Sequence, residues 1–136
     1  MEEFGEDIAY PTIEQICQVN RRMIAEFDGL FLPPNNLSNL HALEYILDAI
    51  KLSIYGYTIY PTLKEKASAI AYHIISRHVF WDGNKRTAIH IAWEFLNSNG
   101  KSILLDSSIE ELSVAIAARK ATQDELLKWM HNHQDK

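Results

Sequence analysis

An eleven-residue stretch at positions 78–88, HVFWDGNKRTA, brings together side-chain types that could act on a phosphate group. Asp82 and Gly83 are a turn signal, and we expect Asn84 to cap the helix that follows. A helix capped there leaves the amides of about Gly83 to Arg86 without intrahelical partners. Free amides at a helix N-terminus attract anions, so this turn predicts a phosphate site.

The charged residues of the stretch fit the same chemistry. Lys85 and Arg86 stand in the first helical turn, where the helix dipole disfavours cations unless an anion lies nearby. Asp82 would repel a phosphate unless a divalent cation lies between them, and Mg²⁺ favours one or two carboxylates together with substrate phosphates. His78 belongs to the residue type best suited to general base catalysis near neutral pH. Together these residues predict phosphoryl or nucleotidyl transfer.

Each of these residues also has a purely structural interpretation. A histidine at a helix end is often a cap, an Asp-Gly-Asn sequence is often only a turn, and Lys85 and Arg86 could be solvated without binding anything. Phe80 is expected in the core as the anchor of the loop, whereas the sequence leaves Trp81 open between core and rim. The order of the residues, rather than any one of them, favours the chemistry.

Six helices are predicted around this stretch, from the helical spacing of apolar residues and from capping boxes. The boxes, of the form S/T-x-x-E/Q, start at Thr12, Thr62, Ser108 and Thr122. The helices are expected from Thr12 to the stop at Gly29, after Ser38 through Ile54, from Thr62 through Ile75, from near Asn84 to Gly100, at about Ser108–Arg119 and at about Thr122–His131. The third helix is apolar enough to be central.

Strand signals are few. The segment SIYGYTIYP (Ser53–Pro61) alternates aromatic and β-branched residues around Gly56 and could form a hairpin or flap. The segment KSILL (Lys101–Leu105) could form a short strand. Because the chain has no internal repeat, low-complexity tract or linker, we predict one all-α domain over residues 1–136 with a small β element.

Composition bounds the class of protein. The chain has 136 residues, of which 47% are hydrophobic and 23% charged, as in an ordinary globular domain. The net charge of −5 disfavours binding to nucleic acid, which is itself negatively charged, so no direct nucleic acid binding is expected. Cys17 cannot form an internal disulfide and is expected to be buried. No apolar run approaches about 18 residues and the acidic N-terminus lacks signal-peptide features, so we expect a cytoplasmic protein without membrane contact.

The stretch HVFWDGNKRTA resembles the signature of the Fic/Doc family, H-x-F-x-[D/E]-[G/A]-N-[G/K]-R, and in particular its Doc (death-on-curing) branch. The segments YPTIEQICQVNRRMI, YPTLKEKASAIAYHII and FLNSNG also resemble Doc-type toxins. The resemblance therefore extends from about Tyr10 onward. It implies a compact all-α Fido fold of about six helices with a small β-hairpin flap, which transfers part of ATP to a protein hydroxyl with Mg²⁺ as the metal.

The resemblance also implies roles for residues that match the family signature. His78 matches the base that takes the proton from a target Ser, Thr or Tyr, and Asp82 matches the acid that binds the magnesium. Gly83 and Asn84 match the anion-hole residues, and Arg86 matches the phosphate-binding arginine.

Two further parts of the chain have counterparts in the family. Phe80 matches the residue that packs the loop into the core. The segment around Tyr55–Tyr60 falls where the family has a flap that aligns the target by main-chain pairing. We therefore expect target alignment by the residues at the tip of the flap, which are Tyr55, Gly56, Tyr57 and Thr58.

Two departures from the general Fic pattern bear on the reaction. This chain has Lys85 where that pattern has glycine, and Ile89 where it has a second arginine. We expect Lys85 to add a phosphate-binding cation beside the anion hole. In Doc-type members these changes accompany a flipped nucleotide, so that the γ-phosphate rather than the AMP moiety is transferred. The resemblance thus favours a protein kinase toxin acting on a bacterial translation elongation factor, with an AMP transferase and a non-catalytic binding protein as alternatives.

The resemblance also bears on regulation. Many Fic proteins have an internal inhibitory helix with the pattern [S/T]-x-x-x-E-[G/N]. The nearest match here runs from Ser107 to Glu111, but Leu112 follows and the pattern fails. We therefore expect a separate antitoxin protein as the partner that restrains activity.

Overall fold

The computed structural model describes residues 7–135. Within those residues the elements are α1 (Ile13–Phe27), α2 (Leu40–Ala49), β1 (Ser53–Ile54), β2 (Tyr57–Thr58), α3 (Leu63–Ser76), α4 (Asn84–Ser98), α5 (Ser108–Ala117) and α6 (Gln123–Asn132). The predicted all-α class with a small hairpin is confirmed. Residues 1–6 and residue 136, at the two ends of the predicted domain, lie outside the described residues.

Three helices start at the capping residues that the sequence indicates. Thr12 and Thr122 each form the predicted capping box with the residue three positions later. The hydroxyl of Thr62 accepts the Glu65 N–H at 3.1 Å. A hydroxyl in this position satisfies one of the amides that the first turn leaves unpaired, so the start of each helix is set locally.

The start of α2 after Ser38 agrees with the prediction, whereas its end does not. Asn39 is the capping residue, because its side chain accepts the Ala42 N–H at 3.2 Å. The helix ends before the predicted limit at Ile54, which lies in β1 instead. The hairpin that follows draws Ile54 into strand pairing, and this pairing is incompatible with a continued helix.

Two other local predictions are wrong. Ser108 does not cap a helix, because it is the first helical residue of α5 and its N–H donates to the Asp106 carboxylate at 2.9 Å. The segment Lys101–Leu105 forms no regular strand and makes only an isolated bridge between Ile103 and Gln134 among the described residues. The stretch around Gln134 that lies beside this segment is too short to form a regular strand pair with it.

The hairpin is short and turns tightly. Its two strands pair antiparallel with Ile54 opposite Tyr57. Tyr55 and Gly56 at the tip have φ angles of 53° and 77°, and two positive angles are typical of the type I′ turn that suits the twist of a hairpin. The side chains of Tyr55 and Tyr57 are exposed, so the hairpin presents aromatic surface to solvent.

The helix α3 is the centre of the bundle. It packs against α2, α4, α5 and α6, and α1 packs against α4. Ile70, Ile74 and Ile75 on α3 have no exposed surface. A helix buried on nearly every side gives rigid support to the segment that leaves its C-terminal end.

Two expectations from composition can be compared with the structure. Cys17 is a buried free thiol, as predicted. None of the helices in the described part of the chain has both the length and the apolar character needed to cross a membrane.

Asn99, the residue after α4, ties the start of the described chain to the bundle. Its Oδ1 accepts the Ala9 N–H at 2.8 Å, and its Nδ2 donates to the Ala9 carbonyl at 3.0 Å and the Phe95 carbonyl at 2.7 Å. The side chain thus pairs with both backbone groups of a residue 90 positions away.

Replacing Asn99 with alanine removes these three hydrogen bonds and is expected to lower the free energy of unfolding by about 1–3 kcal/mol. Urea denaturation measures this change, and the slope of the unfolding free energy against urea concentration should stay the same. Ser98→Ala is the control, since Ser98 is exposed and its hydroxyl has no hydrogen bond within residues 7–135. Equal stability of Asn99→Ala and the wild type would show that the pairing contributes nothing.

Candidate functional site

The segment between α3 and α4 starts from an unusual helix end. The His78 N–H donates to the Ile75 carbonyl at 3.4 Å, and the Val79 N–H donates to the Ile74 carbonyl at 3.3 Å. These two bonds are the Schellman arrangement, which needs a left-handed residue just beyond the helix. Here that residue is His78, with a φ of 48°. Glycine normally occupies this position, because a side chain there costs about 1–2 kcal/mol.

The next part of the segment is held by Phe80 and Asn84. Phe80 is buried, with 1% of its surface exposed. The Asn84 Oδ1 accepts the Phe80 N–H and the Asn84 Nδ2 donates to the Phe80 carbonyl, both at 2.8 Å. The predicted capping role of Asn84 is therefore wrong, because the backbone N–H and carbonyl of Phe80 occupy both polar groups of its side chain. Gly83 is the N-cap instead, with a φ of 80° and no side-chain cap.

The start of α4 offers free backbone donors. The amides of Asn84, Lys85 and Arg86 have no acceptor within residues 7–135. The Gly83 N–H donates to the Asp82 Oδ1 at 2.8 Å, so the set of free amides is one residue shorter than predicted. Three unpaired amides at the positive end of a helix can bind the oxygens of a phosphate.

The carboxylate of Asp82 is held by two backbone amides. Its Oδ2 accepts the Leu30 N–H and its Oδ1 accepts the Gly83 N–H, each at 2.8 Å. The Leu30 N–H holds the pKa of Asp82 below its usual value, although partial burial opposes this effect. The Gly83 N–H and the positive charges of Lys85 and Arg86 lower this pKa further. The carboxylate is therefore ionised at neutral pH.

An ionised Asp82 fits a metal ion whose coordination is completed by a substrate. Each of its oxygens accepts one amide and keeps a lone pair that could bind a cation. Within residues 7–135 no group of three or more His, Cys, Asp and Glu side chains could hold a metal ion. A cation at Asp82 would therefore take most of its ligands from phosphates and water, and this is the preference of Mg²⁺.

These groups meet in a cleft of about 330 Å³ beside the C-terminal end of α5. The predicted site residues that line it are His78, Phe80, Asp82, Gly83, Asn84 and Lys85. Trp81, which the sequence left open between core and rim, also lines the cleft and is 54% exposed. Among the described residues that line this cleft there is none of the hairpin residues Tyr55, Gly56, Tyr57 and Thr58.

Arg86 lies next to the cleft and outside its lining. Its guanidinium stacks on the ring of Phe27, the last residue of α1, at 4.0 Å from the ring centroid. The ring of Phe27 is 47% exposed. A stacked guanidinium keeps the N–H groups at its edge available. Arg86 can therefore bind an oxygen anion while Phe27 holds its plane.

The residues that support the loop from inside the bundle were missed by the sequence prediction. Asn20 on α1 and Asn36 before α2 are fully buried. The Asn20 Nδ2 donates to the Asp82 carbonyl at 2.9 Å. One signal was available, because Asn20 lies on the face of α1 where apolar residues recur, and a polar side chain there needs a buried partner. The partner itself cannot be read from the sequence.

The sequence of the chain is similar to those of known proteins. The model of the Fic/DOC family matches residues 10–96. A curated relative, "Toxin Doc" of Mycolicibacterium smegmatis (strain ATCC 700084 / mc(2)155), is 36% identical over 77 residues. The match covers 54% of this chain and 59% of the relative, so the chain spans somewhat more than half of that protein.

Replacing His78 with glycine relieves the left-handed strain, whereas alanine keeps it. We expect His78→Gly to exceed His78→Ala in unfolding free energy by about 1 kcal/mol, as measured by urea denaturation. The matched pair at His41 should show the opposite order, because His41 lies within α2, where glycine is about 1 kcal/mol less favourable than alanine. The same order at both positions would contradict a left-handed His78.

Replacing Asp82 with asparagine should change how stability depends on pH. The native pKa of Asp82 lies below its ordinary value of 3.8. The ionised carboxylate thus stabilises the fold above pH 3.8, and this contribution is lost as the pH falls through the native pKa. Asp82→Asn is therefore expected to be less stable than the wild type at neutral pH, with a difference that shrinks below that value.

Denaturation measured at several pH values tests this expectation. Asp48→Asn is the control, because Asp48 is exposed on α2 and its carboxylate has no hydrogen bond within the described chain. A stability difference for Asp82→Asn that stayed constant down to the lowest pH would contradict the assigned hydrogen bonds.

Proposed function

Since the chain belongs to the Fic/DOC family, we propose that it is a Doc-type toxin that transfers the γ-phosphate of ATP to a protein hydroxyl. The observation that supports this most directly is the cleft, which is lined by His78, by Asp82 and by Asn84 and Lys85 at the start of α4, whose amides are free. A base, a metal-binding acid and an anion site within one cleft are the parts that phosphoryl transfer requires. The name of the relative, "Toxin Doc", supports the proposed biological role.

In the proposed complex, several residues of the loop bind different parts of the triphosphate and its metal ion. The free amides of residues 84–86 donate to phosphate oxygens, and Arg86 adds N–H donors from the stacked guanidinium. Lys85 adds a positive charge at the wall of the cleft. Asp82 holds Mg²⁺, which when bound supplies charge neutralisation to the phosphates. Asp82 itself is kept ionised and oriented by the Leu30 and Gly83 amides.

In the proposed reaction His78 accepts a proton. The oxygen of the target hydroxyl forms a bond to the γ-phosphorus, and the bond from this phosphorus to the bridging oxygen breaks. ADP leaves, and the proton of the hydroxyl passes to a ring nitrogen of His78. The exposed imidazole has no competing hydrogen bond within residues 7–135, so it is available to the target.

The choice of the γ-phosphate rests on Lys85 and Ile89. Ile89 is half-buried and packs against the core, so position 89 provides no cation for a second phosphate contact. Lys85 lines the cleft where the general Fic pattern has a glycine. By the resemblance to the Doc branch, this combination accompanies transfer of the γ-phosphate. Transfer of AMP is the other outcome of the test below.

The proposed partners are two proteins. The target is a bacterial translation elongation factor, and its modification arrests translation and growth. The strands of the hairpin are short and exposed, so their main chain is accessible for pairing with an extended target segment. The second partner is a cognate antitoxin, since Leu112 breaks the internal inhibitory pattern.

The reaction is tested with ATP labelled at either the γ- or the α-phosphorus and a purified bacterial elongation factor. We expect the γ-label on the target, whereas an α-label would indicate an AMP transferase. His78→Ala should lower the transfer rate by about 10²–10⁴-fold, because it removes the base. Its affinity for Mg-ATP, measured by calorimetry, should remain, since the anion site is intact.

The control is His41→Ala, which removes an exposed histidine on α2 that contacts only Glu44 among the described residues. It should arrest growth as the wild type does when expressed. Full toxicity of a folded His78→Ala variant would contradict the catalytic role of His78. Failure of the wild type to bind Mg-ATP would instead support a non-catalytic partner-binding protein.

A further inference from the structure

Three polar side chains are fully buried beneath the candidate site. They are Asn20 on α1, Asn36 in the segment before α2 and Thr87 on α4, and each has no exposed surface. Burying a polar group costs free energy unless it is hydrogen bonded. The partners of their hydrogen bonds therefore indicate the structural role of these buried side chains.

These side chains form one network that ends on the backbone of the loop. The Asn20 Nδ2 donates to the Asp82 carbonyl at 2.9 Å and to the Thr87 Oγ1 at 3.1 Å. The Asn36 Nδ2 donates to the Asn20 Oδ1 at 3.0 Å and lies 3.4 Å from the same Asp82 carbonyl. The network thus joins α1, the segment before α2 and α4 at a single peptide group.

Asn36 is itself held in place by further hydrogen bonds to its backbone carbonyl and to its side chain. Its carbonyl accepts the Trp81 N–H at 2.9 Å, and its Oδ1 accepts the Leu32 N–H at 2.8 Å. The chain around Asn36 therefore runs beside the loop and binds the residue that precedes Asp82.

The geometry of a peptide bond carries this contact to the acidic side chain. In a trans peptide the carbonyl and the following N–H point in opposite directions. The Asp82 carbonyl points inward to Asn20, so the Gly83 N–H points outward, where it donates to the Asp82 Oδ1 at 2.8 Å. A contact inside the bundle thereby orients a carboxylate at the surface.

There is no space for a side chain at Gly83. A Cβ at this position would lie 2.9 Å from the Asn20 Nδ2 and 2.9 Å from the Ile24 Cδ1. The close approach of Asn20 and the positive φ of Gly83 therefore both favour a residue without a side chain at this position.

We propose that Asn20 and Asn36 are positioning residues of the nucleotide site, which orient the peptide between Asp82 and Gly83 and thereby the carboxylate and the amides that follow. This inference rests on the proposed function for the identity of the ligand, Mg-ATP. The orientation of the peptide stands on the hydrogen bonds alone.

The first test replaces Asn20 with leucine, which has the same branched skeleton of four heavy atoms but forms no hydrogen bond. The Gly83 amide should then exchange its hydrogen with solvent faster, because its peptide is no longer held. The affinity for Mg-ATP should fall about tenfold, which is the effect of losing one net hydrogen bond. Hydrogen exchange by NMR and calorimetry measure the two effects.

Thr87 gives a second pair of variants in case Asn20→Leu does not fold. Thr87→Val removes the hydroxyl that accepts from Asn20, and Thr87→Ser keeps it. We expect faster exchange of the Gly83 amide and weaker Mg-ATP binding in the valine variant, and wild-type behaviour in the serine variant.

Asn99→Ala is the matched control, because Asn99 also binds backbone groups but lies beyond the far end of α4. It should lower stability without changing Gly83 exchange or Mg-ATP affinity. Wild-type exchange and affinity in a folded Asn20→Leu or Thr87→Val protein would overturn the proposal. If the wild type bound no Mg-ATP, the proposed function would fail, whereas the exchange of Gly83 would still decide whether Asn20 positions the loop.

Discussion

The pair of hydrogen bonds between the Asn84 side chain and the backbone N–H and carbonyl of Phe80 is the constraint on which the rest of the site depends. It occupies both polar groups of Asn84, so the first residue of α4 closes the loop and does not cap the helix. Because Phe80 is buried, the pairing ties the helix start to the core. The helix α4 is left without a side-chain cap, and a phosphate bound at its free amides would serve as that cap.

A loop built for an anion is costly to the protein alone. Lys85 and Arg86 at the positive end of α4 each cost roughly 0.3–1 kcal/mol, and the left-handed His78 costs about 1–2 kcal/mol. The buried central helix α3 supports the loop at its start. A triphosphate would reverse the cost of the two cations, since its charge complements both them and the helix dipole. The same residues that weaken the protein alone would stabilise its complex.

Patterns along the chain predicted the six helices because apolar spacing and caps are local properties. The errors arose where a side chain has a partner elsewhere. Asn84 is of a residue type that often caps helices, but its side chain is hydrogen bonded to the backbone of Phe80 instead. Asn20 and Asn36 could not be paired from one sequence, since the carbonyl of Asp82 that they share does not follow from spacing. The candidate site residues could be predicted as a group because they are consecutive, whereas their supports come from other elements.

The two adjacent cations of the loop have separate surroundings, and this separation bears on which phosphate the proposed reaction would transfer. Arg86 is stacked on Phe27 outside the cleft, so its contribution is a fixed edge of N–H donors. Lys85 stands in the wall of the cleft itself, where a glycine would leave space and add no charge. In the proposed reaction, the position of a nucleotide relative to His78 would therefore depend most on residue 85. A lysine there changes the volume and the charge of the cleft together, and leaves the free amides of α4 in place.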